Sequence, residues 1–254
     1  MRLIDVHAHL VAPEFAHDID DVLARAAAAG VEAVISVIEA PEEIEANLAL
    51  AARHPMVKPS LGLFPTCLDW DAAHRVLEAL HRNADRVVAV GEVGLDYWKV
   101  QDPDQRALQR KILAAFVAAA NALELPLNVH SRSAGQATIE FLRACGARRV
   151  LMHAFDARAQ AAILGVEAGF FFSIPPSAVR SPQKQKLIRR LPLSSLMLET
   201  DSPVLGPDAA ERNEPANVRM SCQVIAELQG VPMEAVAQAT TATARRLFAR
   251  GFDL

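Results

Sequence analysis

The chain has 254 residues, 52% hydrophobic and 22% charged, with 26 Lys and Arg against 30 Asp and Glu for a net charge of −4. That balance is ordinary for a soluble globular protein and excludes a general electrostatic attraction to polyanions or anionic membranes, which would need a local patch or bound cations. Three distant cysteines, Cys67, Cys145 and Cys222, without a CxxC pair, exclude a disulfide framework or zinc knuckle and read as small buried hydrophobes in a reducing cytosol.

Short β-like runs alternate with longer helical patterns from end to end. LIDVHAH (3–9) is an apolar run with Asp5, His7 and His9 at every second position, and alternation across a strand puts the three on one face. A helical segment at 18–30 ends in glycine, EAVISVI (32–38) is the second strand, and 41–54 is the second helix. VKPSLGLF (57–64) and helix 70–83 follow, then VVAVGEVGLD (87–96) and the alanine-rich helix 105–124, apolar enough to pack closely on a sheet. PLNVHSR (126–132), helix 135–146, RVLMHAF (149–155) and helix 156–169 continue the pattern. FFFSIPP (170–176) precedes the basic segment SAVRSPQKQKLIRR (177–190), LMLETDSP (196–203) is the eighth strand, and helices 218–230 and 232–251 end the chain.

Strand–helix alternation means βαβ units and a parallel sheet. Eight such strands predict an α/β fold, a (β/α)8 TIM barrel spanning 1–254 as one unit. A doubly wound sheet is the rival, but no glycine-rich phosphate loop follows the first strand. The N-terminal run carries Asp5 and two histidines where a signal peptide would be apolar, and no apolar stretch is long enough for a membrane span, so a cytoplasmic protein is expected.

In a parallel barrel the reactive groups gather at the C-terminal ends of the strands. His7 and His9 end the first strand, Glu92 lies in the fourth, His130 ends the fifth, His153 the sixth and Asp201 the eighth. Four imidazoles and two carboxylates around one axis would be mostly unpaired without cations, and a metal cluster gives each a ligand role. Six ligands exceed one tetrahedral ion and suit two divalent metal ions sharing a bridge, with Glu92 the natural bridging carboxylate. Nitrogen and oxygen donors without thiolates favour zinc, manganese, nickel or iron over magnesium. Asp5 and Glu199 are expected deeper, orienting ligands through hydrogen bonds. His17, His54, His74 and His81 fall in helices or loops and read as surface residues. In the basic segment, Arg180, Lys184, Lys186, Arg189 and Arg190 read at least equally well as a solvated helix face; Arg180 and Lys184 are the two placed to reach a phosphate.

The motifs IDVHAHL, GEVGLD, LPLNVHSR, MHAF, LETDSP and RNEPANV followed by TTATARRLF, in that order, closely resemble the TatD family of metal-dependent deoxyribonucleases, within the wider amidohydrolase-like group. The resemblance covers essentially the whole chain. It implies a TIM barrel that cuts phosphodiester bonds of DNA or RNA with two divalent metals, from a 3′ end and most naturally on single strands. Carried over by position, His7, His9 and Asp201 would hold one metal, His130 and His153 the other, and Glu92 would bridge them. Asp201 would also take a proton from the attacking water. Asp96 would face the substrate or support the ligands, and Arg132 and Arg212, with Asn213, would meet substrate phosphates or brace the surrounding loops. One departure stands out: where the family's third strand ends in GxHP, this chain reads GLFP, with Phe64 in the histidine position. Phe64 is then either a stacking surface for a base or ribose, or a filler in a site of altered function.

The alternative reading keeps the metals and directs them at a carbonyl, as in an aminoacyl-tRNA deacylase or an amidohydrolase. Many binuclear amidohydrolases bridge their metals with a carbamylated lysine on the fourth strand, which here offers Glu92 and no lysine. A non-catalytic scaffold predicts broken ligands, and none of the six is broken. A monomer is sufficient for either activity.

Overall fold

In the computed structural model, whose described residues are 1–252, eight strands alternate with nine α-helices. They are β1 (Leu3–Ala8), α1 (Ile19–Ala28), β2 (Val31–Ser36), α2 (Ile44–Arg53), β3 (Val57–Leu61), α3 (Trp70–Arg82), β4 (Ala89–Gly94), α4 (Pro103–Leu123) and β5 (Leu127–His130). The second half holds α5 (Gly135–Ala144), β6 (Val150–Met152), α6 (Ala159–Glu167), β7 (Phe171–Ile174), α7 (Pro182–Arg190), β8 (Leu196–Leu198), α8 (Val218–Gln229) and α9 (Met233–Leu247).

Every strand pairs in parallel with its sequence neighbour, in the order β1 to β8. Two further backbone bonds carry the last strand round to the first: Asp201 N donates to the His7 carbonyl at 2.9 Å, and His9 N to the Ser202 carbonyl at 2.8 Å. The result is the expected (β/α)8 barrel, nearly closed. These two bonds also tie together the backbones that carry His7, His9 and Asp201.

The strands are shorter than the apolar runs suggest because the polar ends of the runs leave the sheet at the rim. His9 and His153 each follow the last residue of their strand, and Asp201 lies three beyond β8. Helix starts follow capping chemistry: the Asp102 carboxylate accepts from Asp104 N and Gln105 N ahead of Pro103, so α4 begins two residues before the predicted segment. α8 ends as predicted at Gly230, whose φ of 67° lies in the left-handed region that glycine enters freely.

Most of the apolar core lies between the strands and the surrounding helices, with Phe15, Phe116, Phe155 and Phe172 fully buried. A second cluster joins Ile4, Val6, Ile35, Leu151 and Met197 to Leu247 and Phe248. Thr241 Oγ1 donates to the Arg2 carbonyl at 3.0 Å, which sets α9 against the N-terminal end of β1 and leaves the opposite rim open. Among the described residues no helix is long and apolar enough to cross a membrane.

Candidate metal centre

At the C-terminal rim a cavity of about 670 Å³ has His9, Glu92, His130, His153 and Asp201 on its wall. Beneath it, four donor atoms face one another. His7 Nε2 lies 3.2 Å from His9 Nε2, 3.4 Å from Asp201 Oδ1 and 3.6 Å from Glu92 Oε2, and His9 Nε2 lies 3.3 Å and 3.4 Å from the same two oxygens. A tetrahedral ion with ligands at about 2.0–2.1 Å needs its donors about 3.3–3.4 Å apart. The protein therefore holds His7, His9 and Asp201, from β1 and the β8 rim, at the mutual distances that a cation requires, with Glu92 Oε2 from β4 facing both imidazoles.

A second set shares Glu92. Its Oε1 lies 2.7 Å from His130 Nδ1 and 2.8 Å from His153 Nε2, and the two nitrogens are 3.4 Å apart. Glu92 thus turns one oxygen to each set. Oε2 is fully buried and has no hydrogen-bond donor, which is costly for a carboxylate oxygen unless a cation meets it. His7, His9 and Asp201 form one group of donors within ligation range and Glu92, His130 and His153 another. The residues present fit a divalent cation at each.

Glycine explains how a carboxylate reaches the middle of the barrel wall. A Cβ on Gly91 would lie 2.6 Å from the Asn128 Cβ, and one on Gly94 would overlap the His130 carbonyl. The GEVG sequence lets β4 approach β5 closely enough for Glu92 to touch two histidines of neighbouring strands.

The supporting contacts differ from the sequence expectation. Asn128 Oδ1 faces His7 Nδ1 at 2.9 Å while its Nδ2 donates to the Val6 carbonyl at 2.8 Å, fixing which ring nitrogen of His7 turns to the donor set. Asn128 escaped the sequence analysis, although its place two residues before His130 on β5 was the available signal. Asp5 sits deeper, as expected, but not on the face that His7 and His9 turn to the site. The β1–β2 register shifts between Asp5 and Ala8, and the Asp5 carboxylate instead accepts from Thr200 N at 2.9 Å, Thr200 Oγ1 at 2.5 Å and His7 N at 3.2 Å. It acts on the backbone, holding the approach to Asp201 against β1. Glu199 sits deeper, as expected, accepting from Ala154 N at 2.8 Å and Ser173 Oγ at 2.7 Å beside His153 Nδ1 at 3.8 Å.

Four other residues were named for contact with a substrate. Phe64 and Arg132 line the cavity, Phe64 edge-on to the His130 ring with centroids 5.0 Å apart. Asp96 does not: it is buried behind His130, with Oδ2 3.1 Å from His130 Nε2 and Oδ1 accepting from the backbone of Trp98 and Lys99. It is placed to orient the His130 ring. Arg212 also stays outside the cavity, because Asp18 and the Glu14 carbonyl take its guanidinium at 2.6–2.8 Å over the Phe15 ring. It braces the loop after β1, and Asn213 does the same work below by donating to the Thr200 and Val204 carbonyls. Of the basic segment, Lys184 alone lines the cavity, buried and donating to the Ala154 carbonyl at 2.9 Å, whereas Arg180 is turned to the Gly206 carbonyl and Lys186, Arg189 and Arg190 are exposed. His17, His74 and His81 are exposed, and His54 pairs with Asp20 at 2.9 Å.

The site's own charges decide its protons. Burial alone would depress the pKa of His7, but Asp201 and Glu92 outweigh it and push the imidazole up to about 10; Asp96 and Glu92 do the same for His130, to about 9. Burial and the charge on His7 take His153 down to about 4. Glu92 is held well below the usual carboxylate range despite its burial, by His153 and His130. Asp5 and Glu199 are each pushed up to about 7 by burial. A ligating imidazole must be neutral, so filling the site expels the protons of His7 and His130. Metal affinity is therefore expected to rise with pH between 6 and 8, below both raised values. Titration calorimetry in buffers of different ionisation enthalpy should report proton release as the site fills at pH 7; no release would contradict the charge state derived for these histidines.

A parallel barrel with a histidine- and carboxylate-lined metal site at its C-terminal rim defines a metal-dependent hydrolase. The profile of TatD related DNases matches residues 4–249, and the chain belongs to that family. It is 45% identical to human deoxyribonuclease TATDN3 over 97% of this chain and 94% of that protein. It is 30% identical to the uncharacterized metal-dependent hydrolase YabD of Bacillus subtilis, over 97% and 98% of the two chains. The crystal structure of YjjV, a TatD homolog from Escherichia coli, superposes with a TM-score of 0.89 at 31% identity, covering 98% of each chain.

Proposed function

We propose that the protein hydrolyses phosphodiester bonds of nucleic acid, DNA first, removing nucleotides from a 3′ end with two divalent metal ions. His7, His9 and Asp201 would hold one ion and His130 and His153 the other, with Glu92 shared between them. The observation that carries this reading is the divided use of Glu92, one oxygen toward each histidine pair. The name of the human relative supports DNA as the substrate.

When bound, two divalent cations lower the pKa of water and offset charge on phosphoryl oxygens. The protein supplies the rest. Asp201, on the cavity wall, accepts the proton of the attacking water. Asp96 keeps His130 turned to its ligand position. Lys184 and Arg132, the lysine and arginine on the cavity wall, offer donors to non-bridging phosphate oxygens. All ligands come from one chain, so a monomer suffices, and the free cysteines suit the reducing cytoplasm.

The test is a time course of metal-loaded protein on 5′-labelled single-stranded DNA, comparing manganese, magnesium and zinc with a chelated control. Stepwise, chelator-sensitive shortening from the 3′ end is expected. Metal-loaded protein that leaves DNA and RNA intact but cleaves aminoacyl esters would replace the phosphodiesterase with the carbonyl-directed hydrolase. Phe64→His restores the residue usual at that position and is expected to raise kcat on DNA by roughly 10²-fold, the lower end of what a positioned general acid–base group contributes. An unchanged or lower rate would mean that Phe64 itself serves the substrate.

A further inference from the structure

We propose that Trp98 and Arg132 form a stacking subsite for a nucleobase, and that a single strand of nucleic acid leaves the cavity across the β4–α4 and β5–α5 loops. The inference rests on the phosphodiesterase reading above and adds the path of the substrate.

Trp98 is 48% exposed, and an isolated exposed tryptophan is by itself unremarkable. Its surroundings are what give it a role. Arg132, on the cavity wall, places its guanidinium carbon 3.7 Å from the indole centroid, and Lys99 Nζ lies 4.5 Å from the same point. Arg132 makes no ion pair among the described residues. Just behind, Arg106 covers the Tyr97 ring at 4.2 Å and Arg110 donates to the Tyr97 hydroxyl at 3.0 Å. In a protein of net charge −4 this side of the mouth is an interleaved row of cations and aromatic rings, the combination that binds single strands without reading their sequence.

The subsite is held in register with the metal centre. Asp96 Oδ1 accepts from Trp98 N at 2.9 Å and Lys99 N at 2.7 Å, while its Oδ2 lies 3.1 Å from His130 Nε2. Tyr97 N donates to the Arg132 carbonyl at 3.0 Å, joining the two loops. One carboxylate therefore fixes both a metal ligand and the platform beside it.

Charge gives the strand its direction. Glu14, Glu39 and Glu43 line the opposite side of the cavity and repel a phosphate backbone. Of the two cations on the cavity wall, Lys184 is buried against the Ala154 carbonyl and Arg132 is exposed, so a nucleotide next to the scissile phosphate finds exposed favourable charge toward Arg132 and Trp98. Its base can lie on the outer face of the guanidinium or take the part of the indole that the Lys99 chain covers.

The chain contains two tryptophans, so Trp70→Phe leaves Trp98 as the sole indole reporter. Metal-loaded W70F would be titrated with a hydrolysis-resistant phosphorothioate oligothymidylate and, separately, with inorganic polyphosphate, which has charge and no bases. Quenching by the oligonucleotide that polyphosphate does not reproduce is expected. No quenching, or equal quenching by both, would overturn the subsite whether or not the protein proves to be a nuclease.

Kinetics provides the second arm. Trp98→Ala is expected to raise KM for an oligonucleotide by roughly tenfold, in line with the loss of one stacked base, and Trp98→Phe to recover most of it. An equal loss on bis(p-nitrophenyl) phosphate, which has no neighbouring nucleotide, would mean that Trp98 acts only by bracing Asp96. Failure of the wild-type protein on both substrates would refute the phosphodiesterase reading and leave the fluorescence result to decide the subsite.

Discussion

Glu92→Gln is expected to reduce turnover by on the order of 10³-fold, comparable to or beyond the loss of a preorganised electrostatic group at the reacting centre, while leaving the fold intact. The amide has the shape of the carboxylate and fits the space that Gly91 and Gly94 leave between β4 and β5. What it lacks is charge, at a point 2.7–2.8 Å from His130 and His153 and 3.4–3.6 Å from His9 and His7. If Glu92 bridges two ions, both positions are weakened by one substitution, and metal content by mass spectrometry should fall from two ions to one or none. Circular dichroism should be unchanged, since the amide variant keeps the main-chain bonding of β4, including the bond that Glu92 N donates to the Ile38 carbonyl. Full activity, or two ions retained at wild-type affinity, would refute the bridging role.

The reason that Glu92 and the four histidines were legible in the sequence is that a barrel converts linear position into angular position. A polar residue at the end of each apolar run must arrive at the same rim, whatever the detailed packing. Residues whose work depends on local irregularity were not legible in this way. Strict alternation put Asp5 beside His7 and His9, but the register shift in β1 turns it to Thr200. For Asp96 and Arg212 the family resemblance leaves a substrate contact and a supporting role both open, and the partners decide for support: His130 and a loop backbone for one, Asp18 and Glu14 for the other. Of the two residues of the basic segment placed by sequence to reach a phosphate, Lys184 lines the cavity and Arg180 does not, because position three of its helix puts Lys184 under the β6 turn, where burial and the Ala154 carbonyl hold it. A charge count along a helix says nothing about which member faces inward. Trp98 carried no weight in the sequence because an aromatic after GLD is unremarkable until Arg132, 34 positions further on, is found stacked against it.

Asp201→Asn is expected to lower kcat on DNA by about 10²–10³-fold at pH 7, the range that general-base catalysis and one lost charged ligand span. The substitution is clean for a backbone reason. Asp201 has φ of 53°, and asparagine is among the few residues that enter the left-handed region readily, so the turn that brings the side chain to His7 and His9 survives. The variant removes the charge facing both imidazoles at 3.3–3.4 Å. Burial would raise the Asp201 carboxyl, but His7 and His9 hold it well below the usual range, so in the wild type it carries its charge at neutral pH. Two roles are then separable by the shape of the pH profile. If Asp201 is the proton acceptor, the variant's rate should climb with hydroxide concentration without a plateau up to pH 9, because solvent must do what the carboxylate did. If Asp201 is a ligand alone, the profile should keep its wild-type shape, and excess metal should restore the rate as the first position refills. A variant at wild-type rate in unsupplemented buffer at pH 7 would remove Asp201 from both roles and leave His7 and His9 to be explained as a buried pair.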